Sequence, residues 1–222
     1  MHDLKCLVTL SDDKCHVMTY QQAELDRWNA NDSTLLASSN APTFLKEILT
    51  HKQNARPHLF FGEAFVAAQL GDTIKDGWFN SWDWISSYAW FNGKYSKSRK
   101  DPLIDRLKKE FYDLALKRYI DREKFADLMQ LQKYASHKPE PPDLWLIDTD
   151  DAHHFIEVKR DNDTLSDEQA VGLVLIELAM KHKTHLIWLY EEHSKPPKDK
   201  ITRCLERYRD IKARLRHTTR SQ

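Results

Sequence analysis

Glycine is scarce in this chain, with 5 in 222 residues. Together with 31% charged and 41% hydrophobic residues, that scarcity excludes a low-complexity chain. It points to an ordered, helix-rich one with enough apolar material for a packed core. Net charge is lacking too: 34 Lys and Arg balance 34 Asp and Glu. No global basic field therefore announces a nucleic-acid partner, and any such charge has to be local. Cysteine is limited to Cys6, Cys15 and Cys204, an odd set without metal-type clustering that fits a reducing compartment. If residues 5–10 and 15–20 pair as a hairpin, Cys6 falls opposite Thr19, which argues against a Cys6–Cys15 disulfide. The histidines at 153, 154, 182, 185 and 193 show no zinc-type spacing. No apolar leader and no long apolar run occurs, so the expectation is a cytoplasmic protein without signal peptide or membrane span. Delivery by a dedicated secretion machine would leave no mark of this kind.

What the chain does have is concentrated in residues 142–169, P-D-L-W-L-I-D-T-D-D-A-H-H-F-I-E-V-K-R-D-N-D-T-L-S-D-E-Q. Two short apolar runs, 144–147 and 155–158, flank a polar tetrad in which Asp150 and Asp151 supply turn chemistry. Asp143 stands at the start of the first run. Glu157 and Lys159, two apart, share one face of the second. If the hairpin closes near Asp150, Asp143 meets both. Hard oxygen donors of this kind suit Mg2+ or Mn2+ rather than zinc. Such an ion can activate water and neutralise charge on a phosphate, with Lys159 orienting the water or balancing the phosphorus centre. Glu-x-Lys alone is common, and a solvated surface pair is its ordinary explanation. The residues around it argue for more.

Those residues are Pro142-Asp143-Leu144, then Glu157-Val158-Lys159, then Asp161-Asn162-Asp163-x-Leu165-Ser166-x-x-Gln169. In that order and spacing they resemble the VRR-Nuc family of the PD-(D/E)XK nuclease superfamily. The resemblance runs from Pro142 to about Glu192, less than a quarter of the chain. It implies an α/β, restriction-endonuclease-like core, a mixed sheet flanked by helices. It also implies a metal held by Asp143, Glu157, the Val158 carbonyl and a third acid, with Asp143, Glu157, Lys159 and Gln169 at the catalytic centre. Many relatives carry glycine where this chain has Arg160, a candidate nucleic-acid contact. For Gln169 two readings stand side by side, because Ser166-Asp167-Glu168-Gln169 is also a helix capping box.

The third acid is sought in residues 57–71, P-H-L-F-F-G-E-A-F-V-A-A-Q-L-G, where Glu63 is the only formal charge on a helix apolar nearly all round and ended by Gly71. An uncompensated carboxylate there is costly, although a first-turn position would suit the helix dipole. The resemblance favours the site, since these enzymes place an acid on the helix before the core sheet. Glu110 is the competitor, among Lys108, Lys109, Asp113 and Lys117, where a solvated face explains it better. Asp83 is a spare.

Around this core, residues 1–54 are expected to form an N-terminal extension, a hairpin plus helices, with no chemistry of its own. Residues 55–194 form the nuclease-like core, with a helical insertion over about 97–137. Residues 77–91 are dense in aromatics, which core packing explains, or base stacking. Lys97, Arg99 and Lys100 follow as candidate phosphate contacts. Residues 195–222 form a basic C-terminal helix with ten Lys or Arg against three acids, a net of +7. Arg203 and Arg207 there are further candidate nucleic-acid contacts.

The reading is thus a Mg2+- or Mn2+-dependent endonuclease cutting DNA at branched, flapped or junction structures. The resemblance admits a DNA-damaging antibacterial toxin of the same chemistry, with an immunity protein as partner. A nuclease-like DNA-binding module without turnover is the alternative of another class. In the resembled family short members act as dimers and larger ones as monomers, so the resemblance implies a monomer at this length.

Overall fold

The computed structural model describes residues 2–79, 101–111, 113 and 116–220. Strand β1 (His16–Tyr20) leads into helices α1 (Gln22–Asn29), α2 (Thr34–Ala37), α3 (Thr43–Ala55) and α4 (Phe61–Leu70). Strand β2 (Ile74–Phe79) follows, then helices α5 (Pro102–Glu110), α6 (Leu116–Tyr119) and α7 (Arg122–Gln132). Strands β3 (Leu144–Asp148) and β4 (His153–Arg160), helix α8 (Asp167–Leu175), strand β5 (Lys183–Glu191) and helix α9 (Lys198–Arg220) complete the order. The five strands form one mixed sheet, β1-β5-β4-β3-β2. The two pairings among β1, β5 and β4 are parallel, and the two among β4, β3 and β2 are antiparallel. The chain is therefore α/β, a mixed sheet flanked by helices.

The central strands are apolar on both faces because both faces are covered. All five residues of β3 are buried, as are residues 184–189 of β5. Trp145, Trp188, Phe155 and Trp28 are among the largest fully buried side chains. Burying an aromatic or large aliphatic side chain contributes about 1.5–3 kcal/mol, so this layer dominates the favourable side of folding. The β3–β4 turn is fastened by Asp148, whose Oδ1 accepts the backbone N–H groups of Asp150 and Ala152 at 2.8 and 2.9 Å. Asp148 Oδ2 continues into a buried polar chain through His154 and His185 to the Val8 carbonyl.

That chain touches the first ten residues, where the expected hairpin is absent. Residues Leu4–Cys6 and Leu10–Asp12 are 3-10 turns, and only His16–Tyr20 is a strand. The reason lies in the period. Leu4, Leu7 and Leu10 are the buried residues, three apart, which is the repeat of a 3-10 helix rather than of a strand. The partner of β1 is instead β5, with Val17 beside Trp188, 171 residues on. Residues 1–54 thus contribute an edge strand to the same sheet. Trp28 of α1 is also fully buried, donating from Nε1 to the Leu59 carbonyl at 2.8 Å. The three cysteines are free thiols, as the spacing argument expects for Cys6 and Cys15. Among the described residues, no helix is long and apolar enough to cross a membrane.

Candidate functional site

The hairpin places the first acid. Its register pairs Leu144 with Ile156 and Ile147 with His153, so Asp143, one residue before β3, comes opposite Glu157. Beyond Ile156 strand β4 outruns its partner. The Val158 N–H, left without a ladder acceptor on that edge, donates to Asp143 Oδ2 at 2.8 Å. In an extended strand a residue's N–H and C=O face the same edge, so the Val158 carbonyl faces it too. Asp143 itself is held by its lead-in: the Glu140 N–H donates to the Glu168 carbonyl at 3.0 Å. Gly172 makes that approach possible, because a Cβ there would lie 2.0 Å from the Glu140 oxygen.

Lys159 follows on the same face as Glu157. Its ammonium donates to Glu157 Oε1 at 2.7 Å and to Gln169 Oε1 at 2.9 Å. Gln169 is a capping residue that also reaches Lys159. The same Oε1 accepts the Ser166 N–H at 3.0 Å while Ser166 Oγ accepts the Gln169 N–H at 3.1 Å, a complete capping box. The cap thereby aims the amide oxygen at the lysine.

Glu63 arrives from the other side. Phe60 takes a left-handed conformation (φ 64°) and starts α4, with Glu63 in its first turn. Gly62 lets that turn rest on the sheet, since a Cβ there would sit 3.0 Å from Val158 Cγ1. One cavity of about 320 Å³ is then lined by Glu63, Asp143, Glu157, Val158, Lys159 and Gln169 together with Arg160, His58 and Asp163. Asp163 belongs to the motif that carries the resemblance but was given no role from sequence; His58, five residues before Glu63, was not singled out.

The electrostatics follow from burial. Glu157 and Lys159 are almost wholly inaccessible, at 1% and 6% exposure. Burial, then the charges of Asp143 and Glu63, push the Glu157 carboxyl well above its usual range. Glu63 keeps some exposed surface, yet protein crowds its carboxyl. Burial and the Asp143 charge push it up to about 8. Burial raises Asp143 to about 6, against the opposing pull of the Val158 N–H and Lys159. For Lys159 burial works against the charge, but Glu157 and Asp143 outweigh it and hold the ammonium above its ordinary value. Three carboxyls that resist ionisation together, with one ammonium among them, are short of positive charge.

The donor set is all oxygen, and Glu157 Oε2 is buried with no hydrogen-bond partner among the described residues. Both features fit a small hard cation. The set is not a finished cage: among the described residues no three His, Cys, Asp or Glu groups converge as a ready-made metal site. No protein-family model, curated protein or solved structure matches this chain. The geometry of its own residues therefore carries the functional reading.

The other sequence candidates lie apart from the cavity. Arg207 donates to the Leu165 carbonyl and pairs with Asp167 at 3.1 Å. With Arg203 and Lys200 it lines a separate depression of about 230 Å³ on α9. Glu110 pairs with Arg106 at 2.8 Å, as a solvated helix face requires. Lys97, Arg99, Lys100, Asp83 and most of the aromatic stretch lie outside the described residues. Strand β2 was not anticipated; Lys75, Asp76 and Gly77 interrupt its apolar pattern.

Proposed function

We propose that this chain is a divalent-cation-dependent nuclease of the restriction-endonuclease-like, PD-(D/E)XK plan, hydrolysing phosphodiester bonds of DNA, with branched, flapped or junction DNA as its substrate class. One observation carries the reading: Asp143, Glu157 and Lys159 come together on one sheet face, in a cavity that Glu63 shares. Asp143, Glu157 and Glu63, with the Val158 carbonyl, are the residues that would hold Mg2+ or Mn2+. When bound, such an ion supplies a water of lowered pKa and positive charge against a phosphate.

The protein's own part centres on Lys159. An ammonium has three N–H donors, and two are committed to Glu157 and Gln169. The third is available to orient the attacking water or to donate to an oxygen of the phosphorus centre as negative charge grows there. Attack forms the new P–O bond as the bond to the leaving sugar oxygen breaks, and the leaving oxygen takes up a proton. Gln169, fixed by the α8 cap, keeps the lysine from collapsing wholly onto Glu157.

A nuclease-like binding module without turnover is the second reading, favoured by the absence of a finished metal cage among the described residues. The deciding experiment is cleavage of single-stranded, duplex, flap and four-way DNA in Mg2+ or Mn2+, with chelator and the Asp143→Asn variant as controls. Cation-dependent products lost in Asp143→Asn support the nuclease. Intact DNA throughout supports the binding module.

A further inference from the structure

Arg160 is one of the residues that line the cavity. Its Nε forms an ion pair with Asp161 Oδ2 at 3.0 Å, and its guanidinium carbon lies 5.5 Å from the centre of the Phe61 ring. These contacts orient the group, with its Nε end against Asp161. Nη1 is buried and has no acceptor among the described residues. A guanidinium carries five N–H donors in a rigid fork suited to a phosphate, and burying one end without an acceptor is costly. Asp161 is itself held from elsewhere. It sits in the left-handed region (φ 51°) at the end of β4, and its Oδ1 accepts the hydroxyl of Tyr20 at 3.3 Å. Tyr20 is the last residue of β1 and is buried, with its ring edge-on to Phe61 at 5.2 Å. The strand from the N-terminal segment thus reaches the cavity through one carboxylate.

We infer that Arg160 is a phosphate-recognising residue of this cavity: the accessible part of its guanidinium, whose side chain is 25% exposed, donates to a phosphodiester oxygen of a bound strand, while the Tyr20–Asp161 pair holds the group in place. The inference rests on reading the cavity as a phosphodiester site. Lys159 and Arg160, adjacent on β4, point to opposite faces of the strand, and the strand end lets both reach the cavity. Lys159 serves the buried acids; Arg160 serves the anion arriving from solvent. Tyr20 is a positioning residue, acting only through Asp161, and it gives the edge strand a part in recognition.

The test is fluorescence anisotropy of a labelled oligonucleotide with the full chain, in Ca2+ and again in chelator. Arg160→Gln is expected to weaken binding by about tenfold, the scale of one charge-assisted contact. Arg160→Lys, which keeps the charge and loses the fork, should recover only part of it. Tyr20→Phe should weaken binding about threefold with an unchanged melting temperature, as expected when one aligning hydrogen bond is lost. Binding by Arg160→Gln within twofold of the unaltered chain overturns the inference, as does failure of the unaltered chain to bind. Mn2+ binding on the same preparations separates the two readings. Arg160→Gln should keep it. If the unaltered chain binds no Mn2+, the cation site falls, while the anisotropy comparison still decides Arg160.

Discussion

Lys159 places its ammonium 2.7 Å from Oε1 of Glu157, two residues back on the same face of β4, with both side chains almost wholly buried. A pair this deep is a poor source of stability in itself, because desolvation offsets the attraction, but breaking it leaves one charge stranded.

Lys159→Met should therefore cost about 3–5 kcal/mol, unless Glu157 takes up a proton and softens the loss. Glu157→Gln added to Lys159→Met should restore most of that stability, because the stranded charge is gone. Urea denaturation of the two singles and the double measures the coupling. Additive effects would mean that the two side chains do not depend on each other.

Gly172→Ala should be among the most damaging small substitutions. The new methyl would meet a backbone oxygen, that of Glu140, which cannot step aside as a flexible side chain can. Overpacking of this kind costs about 1–3 kcal/mol or more. It would also push the 140–143 lead-in off α8 and displace Asp143. Denaturation reads the first effect, and loss of divalent-cation binding reads the second.

Acid should destabilise the fold through a stacked pair of histidines. The rings of His153 and His182 lie 4.1 Å apart, and burial holds their pKa values down to about 4 and about 3. Their depressed folded values mean that the unfolded chain binds more protons below the usual histidine pKa of 6.5. Stability from this pair is full above about 6.5 and is lost as pH falls toward 4. The rings are partly exposed, so the loss is roughly 1–2 kcal/mol after discounting for solvent screening. The raised carboxyls of the cavity work in the opposite sense over the same range. The decisive quantity is therefore the difference between the unaltered chain and His182→Phe. That variant should lose less of its melting temperature between pH 7 and pH 5. Equal slopes would remove the histidine pair from the account.

Much of the candidate site was legible because it is local. The two-residue period of β4 and a turn at Asp150 suffice to bring Asp143 opposite Glu157. Glu63 was legible for another reason, as a lone charge on an apolar helix. The β1–β5 pairing was not, since a parallel contact between residues 171 apart leaves no trace in any short window. Residues 4–10 misled because Leu7-Val8-Thr9-Leu10 has strand composition, while the burial of Leu4, Leu7 and Leu10 follows a period of three. The role of Asp161 was hidden for the same reason as β1, because its partner Tyr20 lies 141 residues away.

The central claim is that Asp143, Glu157 and Glu63, beside Lys159, grip a small hard cation. The most direct measurement is a Mn2+ titration followed by the electron paramagnetic resonance of the free ion, run on the unaltered chain, Asp143→Asn and Glu157→Gln. Saturable binding by the unaltered chain, lost in both variants while their folds persist, is the expected result. No binding, or binding that both substitutions leave untouched, would contradict it.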